Sequence, residues 1–164
     1  MNKQIFAVLL IITTQNIYAS EESPWINVKR LTTETTLTIA KNALDTCRKE
    51  GVQIAVTVVD RAGDVQVVLR DVLTPKIALT ISKQKAVTAL SFNSPTSQLE
   101  GRFKSIGSIE KIKGLVFSAG GAPISAGGRI LGGVGVSGAP TGELDEKCAL
   151  AGINAVVDDI EMAE

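Results

Sequence analysis

Ten of the fifteen glycines fall between Gly114 and Gly142, threaded among the strand formers Ile124, Ile130, Leu131, Val134 and Val136. This block constrains the fold more than any other part of the chain. A glycine inside a strand marks a bulge, a bend, or a place where another backbone or a ligand comes close. The run then enters a helix start at Thr141. It reads as two Gly-rich strands whose ends and following loop form one wall of a site, or a packed interface.

The remaining pattern places the block within an α+β domain. Leu37, Ala40, Leu44 and Cys47 recur at helical spacing and predict a helix over 33–50. Thr32 is its N-cap and Gly51 its stop. The β-branched run 52–59, the turn Asp60-Arg61-Ala62-Gly63 and the run 65–69 predict a hairpin. Pro75 opens a second helix reaching about Leu90, with Ile77, Ala78, Ile81 and Ala89 on its apolar face. Ser94-Pro95 breaks it, and a short helix over 96–103 follows. Strands are expected at 115–118, 124–126 and 129–136. A final helix from Thr141 to about Met162 carries Leu144, Cys148, Ala151 and Ala155, with Val156 and Ile160 beside that stripe. A hairpin followed by a three-strand meander predicts a mainly antiparallel sheet of about five strands, flanked by helices.

Residues 1–19 have the form of a secretory signal peptide: Lys3, an apolar stretch from Ile5 to Ile12, and a small residue at Ala19. The expected organisation is a leader over 1–19, an N-terminal arm over 20–30 and a single domain over 31–164, exported to the periplasm or beyond. Seventeen Lys and Arg balance seventeen Asp and Glu. That balance argues against nucleic acid as a partner, since nucleic acid wants a basic face. No stretch after the leader is apolar enough to span a bilayer. Two cysteines, Cys47 and Cys148, both fall on apolar helix faces. In an exported chain they are either a disulfide or two buried thiols.

Chemistry is sparse. The chain has no histidine, which removes the commonest general base and metal ligand and any Ser-His-Asp or Cys-His arrangement. No metal site is expected, because two distant cysteines do not make one. No catalytic set is assigned. Gly133-Val134-Gly135-Val136-Ser137-Gly138 matches G-x-G-x-x-G. A dinucleotide fold needs the acidic partner at the end of a second parallel strand, and Asp158 instead falls within a predicted helix. Arg70 and Asp71 end the hairpin, as a solvated strand end or part of a site. Lys85 lies near the apolar stripe of the second helix, either snorkelling or paired with an acid. Glu143 and Asp145 sit in the first turn of the last helix, where carboxylates complement its positive end.

Several segments together resemble the GlcG/HbpS family. They are Val58-Val59-Asp60-Arg61-Ala62-Gly63, Arg70-Asp71, Lys85-Ala86-Val87-Thr88-Ala89, Gly120-Gly121-Ala122-Pro123-Ile124 and Gly132-Gly133-Val134-Gly135-Val136-Ser137-Gly138, followed by Asp145-Glu146-Lys147-Cys148-Ala149. The resemblance runs from about Leu31 onward. It implies a profilin-like fold with the first and last helices packed together, which would bring Cys47 towards Cys148. It also implies homo-oligomers and, for some exported members, haem binding. Some relatives ligate iron through histidine, which this chain lacks, leaving Met162 and the cysteines as conventional axial ligands after the leader.

Three functions follow as expectations. In the first, a small-ligand binder takes haem or a related tetrapyrrole for uptake or sensing. Its site is Gly120, Gly121, Pro123, Ser137 and Gly138, with Arg70 or Lys85 holding an acid group. In the second, an enzyme or sensor for a small organic acid uses Arg70 or Lys85 for the carboxylate and Glu143 or Asp145 for protons. In the third, a structural oligomer uses its glycines only for close packing.

Overall fold

A computed structural model describes residues 23–103 and 106–163. The leader expected over 1–19 therefore lies outside the described residues. The first helix, α1 (Thr33–Lys49), begins at Thr32, whose hydroxyl accepts the Thr35 N–H at 3.2 Å. Glu34 lies in its first turn, Arg48 and Lys49 in its last, and Gly51 leaves it at φ +79°. These features follow the capping and dipole rules. Its buried face is Thr36, Ile39, Ala40, Ala43, Leu44 and Cys47. Leu37, expected inside, is exposed because the face is rotated toward Thr36.

The hairpin forms as expected from β1 (Ala55–Asp60) and β2 (Val65–Arg70). Its turn is tied by the Asp60 carboxylate, which accepts the N–H groups of Ala62 at 2.8 Å and Asp64 at 3.0 Å. Next comes α2 (Ile77–Phe92), ended by Asn93 in a left-handed conformation. Two strands then follow, β3 (Gly121–Ala126) and β4 (Arg129–Ser137), before α3 (Gly142–Asn154) and α4 (Val157–Met162). The sheet is antiparallel, in the order β2-β1-β4-β3.

Among the described residues four strands pair where about five were expected. Residues 115–118 do not join the sheet, because side chains hold this connection instead. The Val116 N–H donates to the Thr88 hydroxyl at 2.9 Å and the Ala119 N–H to the Glu100 carboxylate at 2.6 Å. Phe92, Phe103 and Phe117 pack against one another with centroids 5.1–5.4 Å apart, pinning the loop to the end of α2. Of the short helix expected over 96–103, only a 3-10 turn at Thr96–Leu99 forms. The long last helix is broken after Asn154. Val156 leaves helical geometry (φ −136°, ψ −9°) and is buried, so the chain trades one helical turn for an added core side chain.

The layers are α1 with α3, then the sheet, then α2. Ile39, Val56, Val58, Ile124, Val134 and Val136 fill the space between the helix pair and the sheet. At Gly152 a Cβ would meet the Ile39 carbonyl oxygen at 2.5 Å, so this glycine lets α3 lie against α1. The Cys47–Cys148 disulfide joins the same two helices, with Cα atoms 5.6 Å apart. The first and last long helices therefore pack together, as the family resemblance implies.

Candidate functional site

The other face explains the Gly-rich block. A Cβ at Gly135 would lie 2.0 Å from the Ser82 carbonyl oxygen, at Gly133 2.4 Å from that of Ala86, and at Gly121 2.4 Å from that of Lys85. Three missing side chains thus let the backbone of α2 rest on β3 and β4. Thr57 and Ser82 share a buried hydrogen bond of 2.8 Å across the same contact.

At the end of this contact, where β4 gives way to α3, the structure gathers most of the expected residues. Lys85 Nζ reaches Asp145 Oδ2 at 2.9 Å, and both side chains are about 95% buried or more. Asp145 Oδ1 also accepts the Ala139 N–H at 3.0 Å. Burial raises the Asp145 pKa above its ordinary value, while the Lys85 hydrogen bond and charge and the Ala139 and Gly138 N–H groups oppose that rise. A Cβ at Gly120 would sit 2.5 Å from Lys85 Nζ, so the glycine makes room for the ammonium. Glu146 accepts the Gly120 N–H at 3.2 Å, and Thr96 accepts that of Gly121 at 2.8 Å. Ser137 is buried at the end of β4, and Gly138 follows at φ +129°.

The remaining expected residues lie apart. Arg70 is in the same cross-strand row as Ser137 but with Ala55 between them, about 10 Å away at normal strand spacing. Its guanidinium donates to the Thr74 carbonyl. Pro123 lies opposite Gly133 on the edge strand, and Glu143 is exposed on α3. The ammonium, carboxylate and small residues at the rim are closed on one another, so a ligand there would have to part the Lys85–Asp145 pair.

Open space is found at two other places. A groove of about 460 Å³ runs between the start of α1 and α4. Leu31, Leu131, Val156 and Ile160 form its apolar floor, and Arg30 and Asp159 stand among its charged residues. Thr32, the N-cap of α1, and Thr35 and Thr38 on one side of that helix also line it. Arg30 is 64% exposed and meets buried Asp60 at 3.3 Å. A second concavity of about 290 Å³, between the β1–β2 turn and the end of α2, includes Arg61, Val87, Leu90 and Ile130. Neither concavity is lined by a residue expected at the Gly-rich rim. The groove draws on both ends of the domain, so no local motif announces it. Its one trace in the sequence is that Val156 and Ile160 lie beside the apolar stripe of the last helix rather than in it. Among the described residues no group of three or more Cys, Asp or Glu could hold a metal ion, and no helix is long and apolar enough to cross a membrane.

The fold has close counterparts. A crystal structure of HbpS superposes with a TM-score of 0.79 at 36% identity, covering 84% of this chain and 98% of that one. A double mutant of Streptomyces reticuli HbpS gives 0.78 at 36% identity, over 84% and 94%. A PduOC:haem complex gives 0.71 at 22% identity, over 77% and 95%, a likeness of fold. No curated protein matches the chain. The family model described as "Haem degrading protein HbpS-like" matches residues 31–154. The chain accordingly belongs to the HbpS-like family.

Proposed function

We propose that this protein is an exported binder of haem or a related tetrapyrrole, serving uptake or sensing. The observation that carries the reading is the apolar-floored groove between α1 and α4, taken with membership of a family described by haem chemistry. Ligand pockets are typically clefts of about 300–1,000 Å³ with an apolar lining and a few polar groups. The groove fits that description on both counts.

A haem iron needs an axial donor, and few side chains of this chain can serve as one. Cys47 and Cys148 are joined to each other and cannot offer thiolates. There is no histidine. Met162 supplies a thioether, 79% exposed at the end of α4. The groove offers an apolar floor to a macrocycle, but Met162 is not among its described lining residues, which include no conventional iron donor. When bound, haem would supply the iron and its redox chemistry; the chain supplies an apolar seat and a cationic side chain at Arg30. Without histidine the chain lacks the usual side chain for moving protons at neutral pH, so binding rather than turnover is proposed. The disulfide supports export, since such bonds persist in oxidising compartments.

Titrating the purified protein, without its leader, with micromolar haem tests the reading. A saturable shift of the Soret band is expected. A spectrum equal to that of free haem at every ratio removes the proposal.

A further inference from the structure

Two apolar surfaces are left to solvent side by side in the chain. The first is the arm before α1, where Trp25 is 79% exposed, Ile26 84% and Val28 47%. The second is the groove between α1 and α4, with its floor of Leu31, Leu131, Val156 and Ile160. The chain enters the groove lining at Lys29, directly after Val28, yet Trp25, Ile26 and Val28 take no part in that lining. Residues 26–32 run without a turn, and the β-branched Ile26 and Val28 suit an extended backbone. At about 3.3 Å per residue, such a backbone sets Trp25 roughly 13 Å along the chain from Lys29. The arm therefore does not fold its own apolar side chains back into the groove that Lys29, Arg30 and Leu31 border.

We propose that the arm of one copy of this protein lies in the groove of a second copy, with Trp25 and Ile26 on the apolar floor. Every copy carries both halves of the contact. A reciprocal exchange of arms satisfies both and closes on itself. The driving force is removal of the tryptophan and isoleucine side chains from water. One short arm from each copy buries less than a permanent interface does, so the association is reversible at micromolar protein. The inference goes beyond the haem reading and does not rest on it; a ligand entering the groove has to displace the arm.

The test mixes equal amounts of two leaderless variants, Ile26→Cys and Thr38→Cys, under mild oxidation that leaves the native bridge intact. Ile26 is on the arm, and Thr38 is an exposed residue of the groove wall, so neither change disturbs the core. Covalent pairs joining one variant to the other are expected in excess of the proportion that random collision gives. Adding Ile160→Glu to the Thr38→Cys partner places a charge on the groove floor and is expected to lower the yield of those pairs about tenfold. Trp25 is the single tryptophan, so its emission reports on the arm alone. That emission is expected to move to the blue as protein concentration rises through the micromolar range. Pairs formed only in the random proportion, and indifferent to Ile160→Glu, overturn the proposal. If the emission is then blue-shifted at every concentration, the arm lies in its own groove; if it stays that of a solvated tryptophan, the arm lies in neither. Both measurements are made without haem, so their outcome is separate from that of the haem titration.

Discussion

At Gly135 the space a methyl group would need is held by the Ser82 carbonyl oxygen, 2.0 Å from the ideal Cβ position. A carbonyl in the middle of a helix cannot step aside as a flexible side chain would. Gly135→Ala should therefore destabilise by about 3 kcal/mol, the upper part of the range for overpacking. Gly107 has nothing within 4 Å and no positive φ, so Gly107→Ala should stay within about 0.5 kcal/mol of wild type. Urea midpoints of the two variants check this; equal losses would mean that α2 does not rest on β4 as described. The glycine block announced a close approach by its composition alone. It did not say what approaches, because a helix backbone and a ligand ask for the same absent side chain.

Between elements, the Lys85–Asp145 pair joins α2 to the start of α3 at a place where neither partner meets solvent. Removing one partner leaves a buried charge, so Lys85→Met should cost about 3–5 kcal/mol. Lys85→Met with Asp145→Leu removes both charges and should recover most of that loss. Chemical denaturation of the single and double variants separates the cases, and a double variant no better than the single would contradict the pairing. The pair also has a pH signature. Asp145 is held above its ordinary pKa by burial, so the folded state binds its proton more tightly than the unfolded chain. Its contribution to stability is then greatest at low pH and falls as pH rises from the ordinary carboxylate value through the raised one. Relative to Asp145→Asn, which cannot titrate there, wild type should lose stability across that interval. The sequence placed Lys85 near the apolar stripe of its helix and Asp145 in the first turn of another. Their meeting depends on α2 crossing the sheet beside β4, which no local pattern encodes. Residues 115–118 show the converse. They carry strand-forming side chains, yet the Val116 N–H donates to the Thr88 hydroxyl, and the Ala119 N–H just beyond them to Glu100, in place of a neighbouring strand.

Across the whole molecule, the disulfide closes a separation of 101 residues and binds α1 to α3 behind the core. In the chain-entropy account a loop near this size contributes about 4–5 kcal/mol. Replacing both cysteines by alanine should lower the stability by about that amount, read from the denaturation midpoint under oxidising conditions. A change below 1 kcal/mol would show that the bridge constrains little beyond what helix packing already does. Protein recovered from the exported fraction should begin near Ser20 and carry the bridge intact; a retained Met1 on protein confined to the cytoplasm would remove the export proposal. The bridge was an open alternative at the level of residues, since spacing along a chain does not give a Cα separation.

Local sequence accounts for several elements: the cap at Thr32, the hairpin closed by Asp60 and Gly63, the Gly-rich pair of strands and the helix started at Thr141. Each depends on neighbours within a few residues, where propensity, capping and turn geometry act. It also limited the chemistry, through the absence of histidine. Only packing selects which side of the sheet each helix covers, that Lys85 and Asp145 close on each other, and that a groove opens between Leu31 and Ile160. Those outcomes come from contacts between residues far apart in the chain, and packing rather than local preference selects among them.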